Sequence, residues 1–112
     1  MVIKQGSVLL MDLSPKQGHE QSGKRPYLYL SYQGVEKYAH IAVFAPISTT
    51  KRRYPLYREL PDSCKTKGVV MLDQLVTVDY HNRQHQFLEQ LPDNYMEKLL
   101  KIVKVVFQKD PS

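Results

Sequence analysis

Three stretches of this chain concentrate side chains able to do acid, base or phosphate chemistry. The first is Gly18-His19-Glu20-Gln21-Ser22-Gly23-Lys24-Arg25-Pro26, where two glycines open a loop that carries an imidazole, a carboxylate, an amide and a guanidinium. The second, Pro46-Ile47-Ser48-Thr49-Thr50, sets hydroxyls directly ahead of Lys51-Arg52-Arg53. The third, Gly68-Val69-Val70-Met71-Leu72-Asp73-Gln74, is an apolar run that delivers an acid and an amide at its end. Each also has an ordinary reading: a solvated hairpin loop, a charged turn, a strand terminus. Composition alone leaves open whether the three meet in one site.

The remaining polar features are weaker. Histidines stand at positions 19, 40, 81 and 85. His81 and His85 have i, i+4 spacing, which on a helix would let both face one metal, but no suitable third ligand lies nearby and a solvated polar turn is the better reading. No metal site and no cofactor are expected. No dinucleotide, P-loop, zinc-protease or serine-hydrolase motif is present in the chain. Cys64 is the only cysteine, so no intramolecular disulfide can form, and a reducing compartment fits.

The elements that must hold these residues follow from pattern. Ser7 to Leu13 is a nearly continuous apolar run, consistent with a buried strand, and Tyr27 to Tyr32 alternates tyrosine with leucine as a strand with two unlike faces would. Gly34 marks a turn, and Tyr38 to Ile47 reads as a longer strand in which Pro46 implies an edge or a terminating bulge. Shorter extended pieces follow at 56–60, 68–72 and 76–79. From Pro92 to Phe107 the apolar residues Tyr95, Met96, Leu99, Ile102, Val103 and Val106 recur at helical spacing, with Lys98, Lys101 and Lys104 opposite them. The expected fold is mainly β with α: a small antiparallel barrel or curled sheet carrying a C-terminal amphipathic helix, in a single domain over residues 1–112.

Length and charge narrow the function. A chain of 112 residues supports one core and excludes a multidomain enzyme. Its net charge of +5 lies wholly in residues 1–56, where eight Lys/Arg face three acids, while residues 57–112 hold eight of each. That asymmetry suggests a basic patch for a polyanion. No stretch approaches the roughly 20 apolar residues of a membrane span, so no membrane partner is expected and a cytoplasmic location is.

On these residues the chain resembles the MazF/PemK family of toxin endoribonucleases. The resemblance is carried by Gly6, Asp12-Leu13-Ser14-Pro15, the loop Gly18 to Pro26, Ala45-Pro46-Ile47-Ser48-Thr49, and Gly68 to Gln74 with Thr77 and Asp79, in that order. It implies an SH3-like barrel of the PemK/CcdB type, a homodimer, and metal-free, sequence-specific cleavage of single-stranded mRNA. It also implies control by a cognate MazE/PemI-like antitoxin whose acidic, extended segment covers the RNA groove. Arg25 occupies the family's catalytic arginine position and Ser48 the position of its threonine, keeping the hydroxyl and losing the methyl. His19 matches a histidine of PemK-type members and Asp73 an acid proposed there as general base, although that branch has an arginine where this chain has Met71. Glu20 and Gln21 either orient Arg25 or read a base edge, Lys24, Lys51, Arg52 and Arg53 are expected to track the RNA backbone, and Gly23 and Thr49 to contact substrate beside them. Tyr54 and Tyr57 either stack bases or cover the barrel rim. The alternative reading is a non-catalytic toxin of the CcdB type that binds DNA gyrase.

Overall fold

A computed structural model describes residues 2–13 and 23–111. Along the chain run β1 (Ser7–Met11), β2 (Arg25–Tyr29), α1 (Gln33–Ala39), β3 (Ala42–Ser48), β4 (Tyr57–Glu59), β5 (Val69–Met71), β6 (Val76–Val78), a 3-10 turn (Tyr80–Asn82), β7 (His85–Gln90) and α2 (Asp93–Val106). All pairings are antiparallel, in the order β4-β5-β3-β2-β1-β7, with β6 joining β3 beside β5. The path is open, ending at β4 and β7, so of the two forms expected, small barrel or curled sheet, the strands take the curled sheet.

Alternation along β2 divides the core. Leu28 and Leu30 face a cluster with Val8, Ala45, Ile47, Val70 and Leu72, which α2 covers with Met96 and Leu99. Tyr27 and Tyr29 face the opposite side with Leu9, Met11, Phe44 and Tyr80. There the rings of Tyr29, Phe44 and Tyr80 meet edge to face at 5.2–6.1 Å. The leucine–tyrosine alternation read from the sequence is thus the division between the two clusters.

Four expectations need correction. The turn at Gly34 is instead α1, which ends where His40 takes a left-handed conformation (φ 61°). The strand expected from Tyr38 consequently starts at Ala42. Pro46 lies neither at an edge nor at a strand end: β3 continues to Ser48 and pairs Pro46 with Tyr27. Val43 directs its N–H and C=O toward Ser31 and Leu30, on the β2 side, so alternation turns the Pro46 nitrogen to the other edge. There the partner changes from β6, last paired at Phe44, to β5, first paired at Ile47, and no donor is needed. Finally, residues 81–85 are not a helix or only a turn: His81 sits in the 3-10 turn and His85 opens β7.

Helix α1 has no buried residue and no side-chain cap. Glu36 anchors it, because its carboxylate accepts hydrogen bonds from Tyr29 Oη (2.6 Å), Tyr80 Oη (2.8 Å) and His81 Nε2 (2.9 Å). Burial pushes the Glu36 pKa up, but these bonds together outweigh it and hold the group below the ordinary 4.5. A carboxylate whose folded pKa is depressed stabilises the fold above its unfolded pKa and loses that contribution as pH falls through the folded value. Thermal melts should therefore show wild type losing stability below about pH 4.5. Glu36→Gln should melt lower at neutral pH, by about 1.5–3 kcal/mol for lost bonds to a charged acceptor, and show a shallower acid decline.

Candidate functional site

Strand register brings two of the three motifs together. β2 and β3 pair Tyr27 with Pro46, Leu28 with Ala45 and Tyr29 with Phe44. Continuing that register by two residues sets Arg25, the first residue of β2, opposite Ser48, the last of β3. Directly opposed residues share a face with Cβ atoms about 5 Å apart. The same row extends both ways, since Arg25 pairs with Met11, Met11 with His85, and Ser48 with Val69. Met11 and Val69 are buried, and over that apolar floor Arg25 and His85 are exposed and Ser48 is half-buried.

The Ser48 side chain is fixed by the turn it starts. Its Oγ accepts the Thr50 N–H at 3.1 Å, and Thr50 Oγ1 accepts the Arg52 N–H at 3.2 Å. One lone pair of the serine is thereby used while its O–H remains able to donate to an anionic oxygen. Thr49 projects beside it, exposed.

The three basic residues that follow have different settings. Arg53 is committed to the loop: Nη1 donates to the carbonyls of Thr50 (2.8 Å) and Arg52 (3.0 Å), and Nε donates to Glu59 (3.1 Å). Arg52 lies over the rings of Tyr54 and Tyr57, at 5.1 and 5.7 Å. Lys51 is exposed, with no side-chain partner among the described residues. Tyr57 is buried against Val69 and Met71 with Tyr54 packed on the group, so this pair covers the rim of the sheet.

The third motif adjoins this aromatic cover. Asp73, just past β5, accepts a hydrogen bond from Tyr54 Oη, and Gln74 Nε2 donates to Tyr57 Oη at 3.1 Å. Both side chains thus pin the aromatic pair. Met71 is 5% exposed beneath those rings.

On the other side of Arg25, a groove of about 730 Å³ is lined by Lys24, Asp12, Arg83, Gln84, His85 and Gln86 among others. Arg83 Nη1 donates to the Asp12 carbonyl at 3.1 Å, closing one wall. Tyr27 senses this end of the sheet. Burial pushes its phenol pKa up, and of the nearby charges Arg25 and Arg83 oppose that rise while Asp12 adds to it. Gly23 and Lys24 are exposed at the same end. His19, Glu20 and Gln21 lie outside the described residues. Among the described residues no group of three metal-ligating side chains occurs, and no helix is long and apolar enough to cross a membrane.

Arg83 and His85 were missed by sequence reasoning. They lie in the run His81-Asn82-Arg83-Gln84-His85-Gln86, whose uniform polarity reads as a turn. The one available signal was Phe87-Leu88 continuing it, an apolar pair that an edge strand half-buries. The electrically neutral second half of the chain therefore lines the groove as well as forming core and helix.

Comparison with known proteins places this geometry. A family described as PemK-like, MazF-like toxin of type II toxin-antitoxin system matches residues 4–107. The chain is 32% identical over 103 residues to Endoribonuclease MazF of Staphylococcus saprophyticus, covering 88% of this chain and 85% of that one. It is 29% identical over 102 residues to Endoribonuclease PemK of Escherichia coli, covering 88% and 77%. In structure it is similar to a chain of a MazE-MazF crystal structure from Deinococcus radiodurans, with a TM-score of 0.84 and 24% identity over 96% of each chain.

Proposed function

The chain belongs to the PemK-like, MazF-like toxins of type II toxin-antitoxin systems, and on that premise we propose that it is an endoribonuclease cutting single-stranded mRNA at a short sequence, without a metal ion, so that translation and growth stop. The observation that best supports this reading is the register of β2 and β3, which continued by two residues sets Arg25, the neighbour of the groove-lining Lys24, opposite Ser48.

Metal-free cleavage uses the 2'-hydroxyl as internal nucleophile. The protein must move that proton, stabilise the pentacoordinate phosphorus and protonate the departing 5'-oxygen. Arg25 stabilises the phosphorane charge, because a guanidinium stays charged and its fork matches two phosphate oxygens. Ser48 O–H donates to one of them, and Thr49 contacts the adjoining phosphate. His19 is the proton donor to the 5'-oxygen. Asp73 acts indirectly, by holding Tyr54. Glu20, Gln21 and Gly23 approach the bases, while Lys24, Lys51, Arg52 and Arg53 meet the RNA backbone. The protein works as a cytoplasmic homodimer. A MazE/PemI-like antitoxin restrains it by laying an acidic, extended segment along the cationic face that otherwise takes RNA.

Incubating the purified protein with mixed RNA in EDTA tests the activity. Fragments with a shared sequence at their ends are expected, whereas intact RNA together with blocked DNA gyrase would overturn it in favour of a CcdB-type toxin. Backbone tracking has its own measure. Lys51→Ala should lower the slope of log affinity against log salt by about 0.7, the value for one contact to a single strand. Arg53→Ala should lower it less, since Glu59 already neutralises that guanidinium.

A further inference from the structure

In-line attack places the 2'-oxygen and the 5'-oxygen on opposite sides of phosphorus, so two proton-transfer groups are needed at two ends of the site. The proposed reading gives one of these two transfers to His19. Asp73, the sequence's other candidate, has its carboxylate engaged by Tyr54.

The three histidines among the described residues can be sorted by place and bonding. His40 caps α1 just before β3, whose other end carries Ser48, roughly 20 Å away at about 3.4 Å per residue. His81 has its Nε2 on Glu36 at 2.9 Å. His85 alone stands in the row of Arg25 and Ser48, and it lines the groove. Two strand spacings separate it from Arg25, about 10 Å between backbones, which leaves room for a phosphodiester between the two side chains.

The imidazole of His85 is also fixed in tautomer and orientation. Its Nδ1 lies 2.9 Å from the Arg83 carbonyl oxygen. A carbonyl only accepts, so Nδ1 carries the proton and Nε2 of the neutral ring keeps its lone pair. Tyr80 meets the ring edge to face, with centroids 5.3 Å apart and planes at 87°. Nε2 has no hydrogen-bond partner among the described residues. The charged and titratable groups around it are Tyr80 from the 3-10 turn, Arg83 ahead of β7, Asp12 after β1, and Lys24 and Arg25 at the start of β2.

We propose that His85 is a second catalytic histidine, whose Nε2 accepts the proton of the attacking 2'-hydroxyl. As that proton moves to Nε2, the O2'–P bond forms and the P–O5' bond breaks. The electron pair goes to the 5'-oxygen, which takes a proton from His19. The products are a 2',3'-cyclic phosphate and a 5'-hydroxyl, and both histidines return to their starting states by exchange with water. Arg83 is a positioning residue, acting through its backbone carbonyl.

This inference rests on the RNA-cleavage reading and is tested beside it. Wild type and His85→Ala are assayed from pH 5 to 9 on a cleavable RNA, with and without added imidazole, and for binding to the same RNA carrying a 2'-deoxy nucleotide at the cut site. The variant is expected to lose at least about 10²-fold in rate, the usual scale for a positioned base. It should bind the deoxy RNA as wild type does, lose the rise of rate at the acidic side, and recover in part with imidazole. An RNA with sulfur replacing the bridging 5'-oxygen needs no proton on its leaving group, and His85→Ala should remain slow on it. Wild-type-like rates, recovery on the sulfur substrate, or a loss accompanied by lost binding and no imidazole rescue would each overturn the role. Failure of wild type itself to cut RNA would instead overturn the activity on which the inference stands.

Discussion

Arg25→Ala is expected to reduce RNA cleavage by at least about 10³-fold while weakening RNA binding by far less. The size follows from where charge develops. A phosphorane gathers negative charge on its equatorial oxygens, and a preorganised cation facing them is worth about 10³- to 10⁵-fold in comparable phosphoryl chemistry. Arg25 is at the first position of β2 with Met11 beside it in the row, so pairing with β1 holds its backbone in place. Binding is spread over other cations: Lys24 beside it, Lys51 past Ser48 and Arg83 across the groove. The loss should therefore appear in kcat under saturating RNA, with KM little changed. Arg25→Lys should recover only part of the rate, since an ammonium keeps the charge but not the two-pronged match to phosphate oxygens. Equal losses in kcat and in affinity for an uncleavable RNA would show Arg25 to be a binding cation only.

Much of this site was legible in the sequence because its parts are continuous motifs. Arg25 and Ser48 stand out by residue type in their own segments, and the leucine–tyrosine alternation of 27–30 announced the strand that aims Arg25. Their closeness was a matter of register, which depends on how β2 and β3 meet across α1 rather than on either motif. Helix α1 was itself illegible. It spans seven residues, contains Gly34 and buries none of its side chains. The carboxylate of Glu36, reaching Tyr29, Tyr80 and His81 from elsewhere in the chain, is what secures it. Strand β7 escaped notice for a related reason. It lies at one end of the sheet path, pairs with β1 alone, and so retains exposed polar residues at His85 and Gln86. A local pattern reports burial, and both elements are held by long-range partners with little burial of their own. Asp73 illustrates the converse: it was legible as an acid at a strand end, but its engagement by Tyr54 arises across 19 residues.

Gly68→Ala is expected to damage stability and activity together, because the two are joined at one carbonyl. Gly68 leads into β5 with φ at 126°, a conformation that side chains rarely adopt. A Cβ there would stand 2.4 Å from the Ser48 carbonyl oxygen and 2.9 Å from its carbon. Those are backbone atoms, so relief requires moving the end of β3 away from β5, where Ser48 pairs with Val69. The backbone conformation alone costs about 1–3 kcal/mol. A melting temperature lower by on the order of 10 °C is the corresponding signature in a domain of this size. Displacing β3 carries Ser48 with it, and an error of about 1 Å in a positioning group can lower a rate by roughly 10². Cleavage measured at 15 °C, with folding checked by circular dichroism, should thus stay depressed in molecules that are still folded. Gly23→Ala supplies the contrast, since a Cβ at that glycine meets nothing within 4 Å and should leave the melting curve unchanged. A Gly68→Ala protein that melts lower but cleaves at the wild-type rate would mean that the end of β3 can shift without disturbing the reacting phosphate, and would remove Ser48 from the chemistry.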